Sequence, residues 1–414
     1  MVYIERDIEK NIEKWLVSRE ILALRGPRQS GKTTILFKLK DRLKNKGAED
    51  ERIHYISFEN DLDKIKFQEN PKEFIEFYIK TGGKNYFMLD EVQYVKNIGK
   101  ILKLLFDSYS NIKIIITGSS SFDLTNLGSF LVGRVIFFNI YPFNFAEFLR
   151  SKGENYEKIY KKIKIELLKN KIKLQKTIFL DQLNKLLQEY LTFGSYPRVV
   201  LEKDKKKKIE LLKNLFSTYI EKDIVGLYGI KYREEVVKLL KIISSASGNI
   251  INYETLCVNS GLKYREIKKL LPLLEDSFII SITKPFYKNL VNELRKNPKI
   301  YFLDYGIKNL LLEENFNNLK FDKLYEDFVH NELKRDFPEI KYWRTTAKTE
   351  VDFVLQHKND ITPIEVKVQP KITRSFRSFL QVYKPKRGVL FNLNSIERKK
   401  INKCDVFVLP LVYI

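Results

Sequence analysis

Cysteine and histidine are scarce in this sequence. Its 414 residues include two cysteines, Cys257 and Cys404, which lie far apart, and three histidines in unrelated contexts. Two distant cysteines indicate neither a disulfide framework nor a thiolate zinc site, and the few histidines argue against any other zinc centre.

Long apolar runs are missing as well. No stretch approaches the ~20 apolar residues that are needed to span a bilayer. The first residues, MVYIERDIEKNIEKW, alternate charged and apolar groups and lack the apolar core of a signal peptide. We therefore expect a soluble, cytoplasmic protein without a membrane partner.

Positive charge is in excess. The chain has 75 basic and 52 acidic side chains, a formal net charge of +23. This excess favours a polyanionic partner, first of all nucleic acid and DNA in particular. A Lys-rich compositional habit shared by every protein of the source explains the charge equally well. The hydrophobic fraction of 44% is ordinary for a globular chain that buries a sizeable core.

Strand-like and helical patterns alternate over residues 1–143, and this alternation predicts a parallel sheet with helices on both faces. We expect helices at 4–17 and 33–46 and strands at 21–25, 53–58, 86–91, 112–120 and 135–140.

The remainder of the chain divides into three predicted segments. Residues 144–230 are mostly helical and Lys-rich, as expected for a helical lid or connector. Residues 231–290 show helix, helix, a turn at Gly261, helix and strand, the order of a winged helix-turn-helix. Residues 291–414 predict an α/β domain with helices at 323–337 and 375–383 and strands at 340–344, 350–356, 361–368, 388–393 and 405–414.

A phosphate-binding loop is the most specific motif. The segment GPRQSGKT fits G-x-x-x-x-G-K-[ST], follows a predicted strand and opens a predicted helix. Loop N–H groups and the helix N-terminus would hold the phosphates of ATP, with Lys32 on the β- and γ-phosphates and Thr33 on Mg²⁺. The predicted ATP-binding residues of this loop are Gly26, Pro27, Arg28, Gln29, Ser30, Gly31, Lys32, Thr33 and Thr34.

Two acids end the apolar run YFMLDE, and they fit a second ATPase motif. Asp90 can hold the magnesium, and Glu91 can polarise the attacking water. Ser119, after the strand IIITG, either senses the γ-phosphate or is an ordinary turn serine. Arg134 either stabilises transition-state charge in trans or lies on the surface.

Acids and a lysine alternate with apolar residues in two C-terminal strands. Because strand side chains alternate between faces, we expect Val351, Phe353 and Leu355 to face the core, opposite Glu350 and Asp352. In the next strand we expect Glu365 and Lys367 to point away from Ile364, Val366 and Val368.

Pairing of these strands would bring Asp352, Glu365 and Lys367 together, with Glu326 as a further acid from the preceding helix. Carboxylates bind a hard cation such as Mg²⁺, and a lysine can activate a water beside a phosphodiester. The predicted metal ligands here are Glu326, Asp352 and Glu365, and the catalytic group is Lys367. A salt-bridged, half-exposed hairpin would show the same alternation.

These motifs resemble the archaeal and bacterial AAA-like P-loop ATPases in which a winged helix and a domain with PD-(D/E)XK nuclease-like motifs follow the ATPase domain. The segments that carry the resemblance are GPRQSGKTT, FMLDEVQ, ITGSSS, LVGR, YPFNFAEF, FGSYPRVV, KIYFLDYGI, LYEDFVHNEL, YWRTTAKTEVDFVL and PIEVKV. The resemblance implies nucleotide binding by Gly31, Lys32 and Thr33, Walker B roles for Asp90 and Glu91, and the helix-acid, D and E-x-K positions at Glu326, Asp352, Glu365 and Lys367. One departure is that no second-sensor arginine is evident in the helical region after Asn144.

Three functions fit these features. The first is an ATP-driven enzyme that binds DNA and cuts it in its C-terminal domain. The second is a nucleotide-dependent regulatory switch with an inactive nuclease-like domain, and the third is a passive DNA-binding ATPase. AAA-like ATPases often form rings, so a homo-oligomer and a monomer are both open.

Overall fold

A computed structural model describes residues 3–118, 130–167, 172, 174–227, 229–287, 293, 296–312, 316, 319–345, 347–358 and 360–414. The chain forms two compact units. The first comprises Met1–Phe143, Ser217–Ile230 and Asp276–Phe278, and the second comprises Asn144–Phe216, Lys231–Glu275 and Ile279–Ile414. Within the described parts of the chain, every helix is too short or too polar to span a bilayer.

The first unit is built on a parallel sheet. Its strands are Ile21–Arg25 (β1), Ile53–Ser57 (β2), Asn85–Asp90 (β3), Ile112–Gly118 (β4) and Val135–Asn139 (β5). They lie in the order β2-β3-β4-β1-β5, and every pairing is parallel. The helices are Glu9–Lys14 (α1), Lys32–Asn45 (α2), Asp61–Glu69 (α3), Pro71–Glu76 (α4) and Ile98–Ser108 (α5), and Tyr219–Leu227 is a π-helical segment.

Helices cover both faces of this sheet. Ile21 and Ala23 of β1 belong to an apolar cluster that includes α5, whereas Leu22 and Leu24 belong to a second cluster that includes α2. Successive strand residues therefore bury themselves on opposite faces, as the near-continuous apolar strands of a parallel sheet require. The predicted α/β fold with a parallel sheet is confirmed.

Helix α1 is shorter than the predicted 4–17 span. The Lys113 ammonium donates to the carbonyl oxygens of Trp15, Ser18 and Glu20 at 2.6, 3.0 and 2.6 Å. Because these carbonyls bind a buried ammonium from β4, the backbone after Lys14 leaves the helix.

The second unit combines helices with a mixed sheet. The helices are Phe145–Lys152 (α6), Glu154–Ile163 (α7), Leu180–Phe193 (α8), Pro197–Leu201 (α9), Lys205–Thr218 (α10), Arg233–Ser245 (α11), Tyr253–Ser260 (α12), Tyr264–Asp276 (α13), Tyr305–Leu311 (α14), Asp322–Asp336 (α15) and Arg374–Tyr383 (α16). The strands are Ile280–Pro285 (β6), Lys299–Phe302 (β7), Lys341–Arg344 (β8), Glu350–His357 (β9), Asp360–Val366 (β10), Arg387–Asn392 (β11), Glu397–Ile401 (β12) and Cys404–Pro410 (β13).

The eight strands form one sheet in the order β12-β13-β11-β10-β9-β8-β6-β7. The predicted boundary at residue 290 falls inside this sheet, because β6 pairs with β7 on one edge and with β8 on the other. The predicted final strand 405–414 ends early: Pro410 closes β13, and Leu411–Tyr413 form a 3₁₀ turn.

Packing also joins two segments that the sequence separates. The ring of Phe145 on α6 lies 5.5 Å from Tyr190 on α8 and 5.5 Å from Phe328 on α15. Helices from the predicted connector therefore share a core with the C-terminal domain, and they belong to one unit.

Strand β9 departs from strict alternation. Its pairing with β8 shifts register, so that Val351 to Val354 of β9 span one residue more than the facing part of β8. Val351 and Val354 consequently enter the same apolar cluster, whereas the Phe353 ring contacts Tyr301 and His330. Val351, Phe353 and Leu355 are all buried, as predicted, but this irregularity gives Val351 and Phe353 different apolar neighbours.

Helices α11, α12 and α13 precede β6 in the predicted order. Gly261, with φ +80°, ends α12, and its N–H donates to the carbonyl of Cys257 at 3.0 Å. This left-handed residue turns the chain sharply into α13. The strand that follows is an integral part of the eight-stranded sheet.

Candidate functional site

The glycine-rich loop joins β1 to α2 at the carboxyl edge of the first sheet. Gly26 has no room for a side chain, because a Cβ there would lie 2.2 Å from the carbonyl oxygen of Ile140. Gly31 has φ +99°, a left-handed conformation that favours glycine, and it directly precedes α2. Both glycines keep the backbone tight before a helix N-terminus, the arrangement in which N–H groups bind phosphate.

The loop contains two buried hydrogen-bond donors that fit an anion, the Lys32 ammonium and the Ser30 hydroxyl. The Lys32 ammonium donates to the carbonyl oxygens of Gly26 and Pro27, each at 3.0 Å. Burial lowers the pKa of Lys32, and the nearby carboxylates of Glu91 and Asp90 oppose this shift. Ser30 Oγ is buried without a hydrogen-bond partner among the described residues. The donors therefore fit a phosphate group.

The second motif lies beside the loop. Asp90 Oδ2 accepts hydrogen bonds from Thr33 Oγ1 at 2.9 Å and from the Tyr55 hydroxyl at 2.7 Å, and Asp90 Oδ1 accepts from the hydroxyl of Thr117. Burial and the bond to Asp90 raise the pKa of Tyr55. Hydroxyl and carboxylate oxygens are the ligands that Mg²⁺ prefers, so Thr33 and Asp90 fit that ion together.

Glu91 adopts an unusual backbone conformation. Its φ of +55° is left-handed for a residue with a side chain, and such strain clusters at functional sites. The Glu91 N–H donates to Thr117 Oγ1 at 3.0 Å, and the Gln93 amide donates to the Glu91 carboxylate. The polar end of β4 therefore helps to hold both acids.

Other predicted ATP-site residues are placed less uniformly. Pro27 is buried in the loop, whereas the side chains of Gln29 and Thr34 are exposed. Ser119 lies outside the described residues, so its role as a sensor stays a prediction.

Arg134 lies near the amino end of β1, whereas the phosphate loop follows the carboxyl end of that strand. Its carbonyl accepts the N–H of Ile21 at the amino end of β1, and its Nε lies 3.0 Å from Asp107. Arg134 therefore does not join the loop of its own chain. A role toward the nucleotide of a neighbouring subunit stays a prediction.

Several residues of this site could not be identified from sequence motifs. Arg6 donates to the carbonyl oxygen of Ser30 at 2.8 Å, and Asp223 Oδ1 lies 3.0 Å from Arg28 Nε. Both come from chain segments distant from the loop, and no local pattern marks them. Thr117 could have been found, because a hydroxyl residue ending a buried strand next to the Asp90 strand is unusual in an apolar run.

The C-terminal residues Asp352, Glu365 and Lys367 do converge. Lys367 Nζ lies 3.3 Å from Asp352 Oδ2 and 3.5 Å from Glu365 Oε1. The Val366 N–H donates to Asp352 Oδ2 at 2.8 Å, and Thr373 Oγ1 donates to Glu365 at 2.8 Å. Burial raises the pKa of Glu365 to about 7, with Lys367 opposing the shift and Asp352 adding to it.

Glu326 is engaged by a different lysine. Lys299 Nζ, on β7, lies 3.2 Å from Glu326 Oε1 and 2.6 Å from Glu350 Oε1. The Tyr301 hydroxyl donates to the same Glu326 oxygen at 2.7 Å. Burial lowers the pKa of Lys299, but Glu326, Asp352 and Glu350 outweigh it and raise the pKa overall. This ammonium is therefore a charged group held among three acids.

The predicted metal ligands Glu326, Asp352 and Glu365 each contact a lysine of the chain. In the described ranges, no three His, Cys, Asp or Glu side chains are placed to hold a metal ion. Lys299 contacts Glu326 and Glu350, whereas Lys367 contacts Asp352 and Glu365, so each ammonium faces two carboxyl groups. A metal site formed by Glu326, Asp352 and Glu365 stays a prediction.

The helix pair α12–α13 presents a basic surface. Lys263, Lys268 and Lys269 are exposed, on α13 or directly before it. Lys268 Nζ lies 4.1 Å from the ring centroid of Tyr253 and 5.5 Å from that of Tyr264. This contact holds Lys268 against aromatic faces and raises its pKa against the lowering effect of burial.

Sequence comparisons place known domains along the chain. A model described as an AAA domain matches residues 18–149. Two models described as domains of unknown function, DUF8612 and DUF4143, match residues 184–318 and 321–413. The boundary between these two models lies near residue 320, just before α15.

Curated relatives resemble almost the whole chain. An uncharacterized protein of Haemophilus influenzae is 25% identical over 396 residues, which cover 93% of this chain and 92% of the relative. The uncharacterized protein MJ1544 of Methanocaldococcus jannaschii is 30% identical over 364 residues, 85% of this chain and 76% of that protein.

Solved structures match loosely. Domain III of the Thermotoga maritima replication initiation protein DnaA has a TM-score of 0.30 and 17% identity, covering 51% of this chain and 94% of that chain. AMPPCP-bound DnaA from Aquifex aeolicus has a TM-score of 0.30 and 15% identity, covering 66% and 92%. Matches this loose carry no conclusion about the present chain.

Proposed function

This chain belongs to the protein family of MJ1544 from Methanocaldococcus jannaschii, and we propose that its first unit, an AAA-type P-loop ATPase-like domain, binds ATP with Mg²⁺ and hydrolyses it. The observation that carries the proposal is the 2.9 Å hydrogen bond between Thr33 of the loop and Asp90. This contact joins the two halves of a nucleotide site that lie 57 residues apart.

Each residue of this site has a role that its environment supports. The loop N–H groups and Lys32 bind the phosphates, and Thr33 and Asp90 would hold Mg²⁺, which neutralises charge on the β- and γ-phosphate oxygens when bound. The Glu91 carboxylate orients the attacking water and accepts its proton. The close approach of the loop to the main chain at Ile140 explains why Gly26 tolerates no larger residue.

Glu91→Gln tests the hydrolysis step. Because a general base contributes about 10²–10⁴-fold, we expect ATP turnover to fall by that order while binding of a fluorescent ATP analogue is retained. Glu69→Gln, which changes an exposed carboxylate on α3, should behave like the wild type. Unchanged turnover in Glu91→Gln would remove Glu91 from the mechanism.

We propose that the second unit binds nucleic acid, DNA in particular, through the α12–α13 surface. Support comes from the exposed lysines of that surface and from the helix, turn, helix and strand order that a winged helix would show. Lysines that contact phosphates release counterions, so affinity falls steeply with salt.

The double variant Lys263→Ala/Lys269→Ala tests this surface. Each lost phosphate contact should lower the salt slope of DNA affinity by about 1. Lys238→Ala, an exposed lysine on α11, should leave the slope unchanged. Equal slopes in both variants would place the nucleic-acid surface elsewhere or remove it.

For the cluster formed by Glu326, Asp352, Glu365 and Lys367 we favour a regulatory role of the protein, in which ATP binding drives a switch and this nuclease-like cluster is inactive. Support comes from Lys299, whose ammonium already contacts Glu326, one of the predicted metal ligands, and Glu350. The second candidate is a Mg²⁺-dependent PD-(D/E)XK-like nuclease, supported by the convergence of Asp352, Glu365 and Lys367.

A cleavage panel separates the two readings. Duplex, single-stranded and branched DNA are incubated with the protein, with and without ATP and Mg²⁺. The switch predicts no cleavage alongside normal ATP turnover. Cleavage that is lost in Asp352→Asn and Lys367→Ala, with ATP binding intact, would establish the nuclease instead.

A further inference from the structure

The π-helical segment Tyr219–Leu227 lies in the first unit, within Ser217–Ile230, which residues of the second unit precede and follow in the sequence. Its Ile220 and Ile224 side chains are buried, and the Tyr219 hydroxyl lies 2.8 Å from Ser277 Oγ. π-Helical turns are rare and are frequently found at functional sites. The segment is thus a part of the ATPase unit that the chain supplies from its helical region.

This segment places a buried acid against the phosphate loop. Asp223, only 1% exposed, accepts from Arg28 Nε at 3.0 Å through Oδ1 and at 3.3 Å through Oδ2. Arg28 also donates to the Tyr94 hydroxyl at 3.3 Å, in the 3₁₀ turn that follows Glu91. One guanidinium therefore ties the loop to the catalytic acid's turn and to the π-helical segment.

Arg28 and Asp223 each shift the pKa of the other toward its charged form. Burial raises the pKa of Asp223, and Arg28 opposes that shift. Burial lowers the pKa of Arg28, but Asp223 and Tyr94 outweigh it. Lys32 and Glu91 act on Asp223 as well. The carboxylate therefore lies within the electrostatic reach of the loop's cations, where the phosphates of a nucleotide would also lie.

A carboxylate and a phosphate compete for the same guanidinium, because arginine forks bind either group in a bidentate manner. The phosphates of a nucleotide in the loop carry more negative charge than Asp223, and Lys32 and the loop N–H groups would hold them in addition. When a nucleotide is bound, Arg28 therefore has two competing anionic partners.

We propose that the Arg28–Asp223 pair is the nucleotide sensor of this chain: phosphate draws Arg28 away from Asp223 and loosens the segment Tyr219–Leu227. The inference rests on the proposed ATP site. No second-sensor arginine is evident in the helical region after Asn144. In the proposed sensor the arginine, Arg28, lies in the loop instead, and its acidic partner, Asp223, lies in the helical region.

The first test is the affinity for a fluorescent ADP analogue with Mg²⁺. Asp223→Asn removes the competitor of the phosphate, so affinity should rise about 10-fold, within the usual range of such couplings. Arg28→Met should weaken binding, and Arg28→Met/Asp223→Asn should match Arg28→Met alone. Glu221→Gln, which removes the same charge from an exposed position of the segment, should bind like the wild type.

The second test is amide hydrogen exchange over residues 219–227. In the wild type, ADP with Mg²⁺ should speed exchange there. In Asp223→Asn, exchange should be fast without nucleotide and unresponsive to it. Weaker binding by Asp223→Asn, or exchange that ignores nucleotide in the wild type, would overturn the sensor and leave Asp223 a structural acid.

The two levels of the proposal fail differently. If the wild type binds no nucleotide, the ATP site itself is wrong. If it binds nucleotide in a Lys32-dependent manner while Asp223→Asn changes neither affinity nor exchange, only the sensor is wrong.

Discussion

Two buried lysines, one in each unit, show opposite electrostatic designs. Lys32 in the phosphate loop donates to two backbone carbonyl oxygens, and burial lowers its pKa. Lys299 on β7 of the second unit lies within 3.2 Å of carboxylate oxygens of Glu326 and Glu350, and these acids raise its pKa despite burial. The first ammonium keeps its capacity to bind an anion, whereas the charge of the second is already matched by the protein.

This difference shows why motif residues alone do not establish a working site. Both sites contain the residues that their motifs require. In the loop, Lys32 donates to uncharged carbonyl oxygens, and the buried Ser30 hydroxyl has no hydrogen-bond partner among the described residues. Among the C-terminal acids, the ammonium of Lys299 on β7 already contacts Glu326 and Glu350. The partners of a charged side chain, and not its presence, decide what it can bind.

The variant Lys299→Met tests the role of the lysine in the second unit, and we expect it to have the largest effect on stability. Removing one partner of a buried ion pair costs about 3–5 kcal/mol, because an uncompensated charge stays buried. We expect the free energy of unfolding of the second unit to fall by that order. In a Trp15→Phe background, urea unfolding followed by Trp343 fluorescence reports that unit alone.

The matched control is Lys299→Met/Glu326→Gln, which removes an acid as well and should recover part of the loss. Without nucleotide, Mn²⁺ should raise the unfolding temperature of Lys299→Met and leave the wild type unchanged. Stabilisation of the wild type by Mn²⁺ that disappears in Asp352→Asn would show that the pocket does hold a metal, against our interpretation.

The variant Lys32→Ala tests the lysine of the phosphate loop. Loss of charge-assisted contacts to phosphate, worth roughly 3 kcal/mol, should weaken binding of a fluorescent ATP analogue by about 100-fold. Lys46→Ala, an exposed lysine just after α2, should bind normally. Tight binding by Lys32→Ala would refute the assignment of the loop.

A third buried lysine, Lys113, tests how burial among carbonyl oxygens changes a lysine pKa in the absence of any ligand. Burial lowers the pKa of Lys113 to about 7, with Lys84 adding to the shift and Glu20 opposing it. Because the unfolded chain then binds more protons above pH 7, the stability that Lys113 contributes rises with pH up to its unfolded pKa of about 10.4.

Relative to Lys113→Met, the wild type should therefore gain roughly 1–2 kcal/mol of stability between pH 7 and 8.5. Unfolding in urea at each pH, followed by Trp15 fluorescence in a Trp343→Phe background, measures this difference. A flat difference between the two proteins would mean that Lys113 stays protonated and that carbonyl oxygens alone sustain a buried ammonium.

The local parts of both sites could be predicted from the sequence. The loop could be read because its function is carried by consecutive backbone groups, and the alternation of Glu365 and Lys367 could be read because strand periodicity is local. The irregularity in β9 and the carbonyls that end α1 at Lys14 could not, because a neighbouring strand and a distant lysine cause them.

The amino-acid sequence by itself determined the parallel α/β first unit, the phosphate loop with Asp90 and Glu91, and the order of the later helices and strands. Only the tertiary structure decided that the connector helices share a core with the C-terminal domain, that Asp223 contacts Arg28, and that Lys299 contacts Glu326 and Glu350. Those contacts join residues distant in sequence, and the stability of a buried charge depends on whichever partner folding brings within about 4 Å.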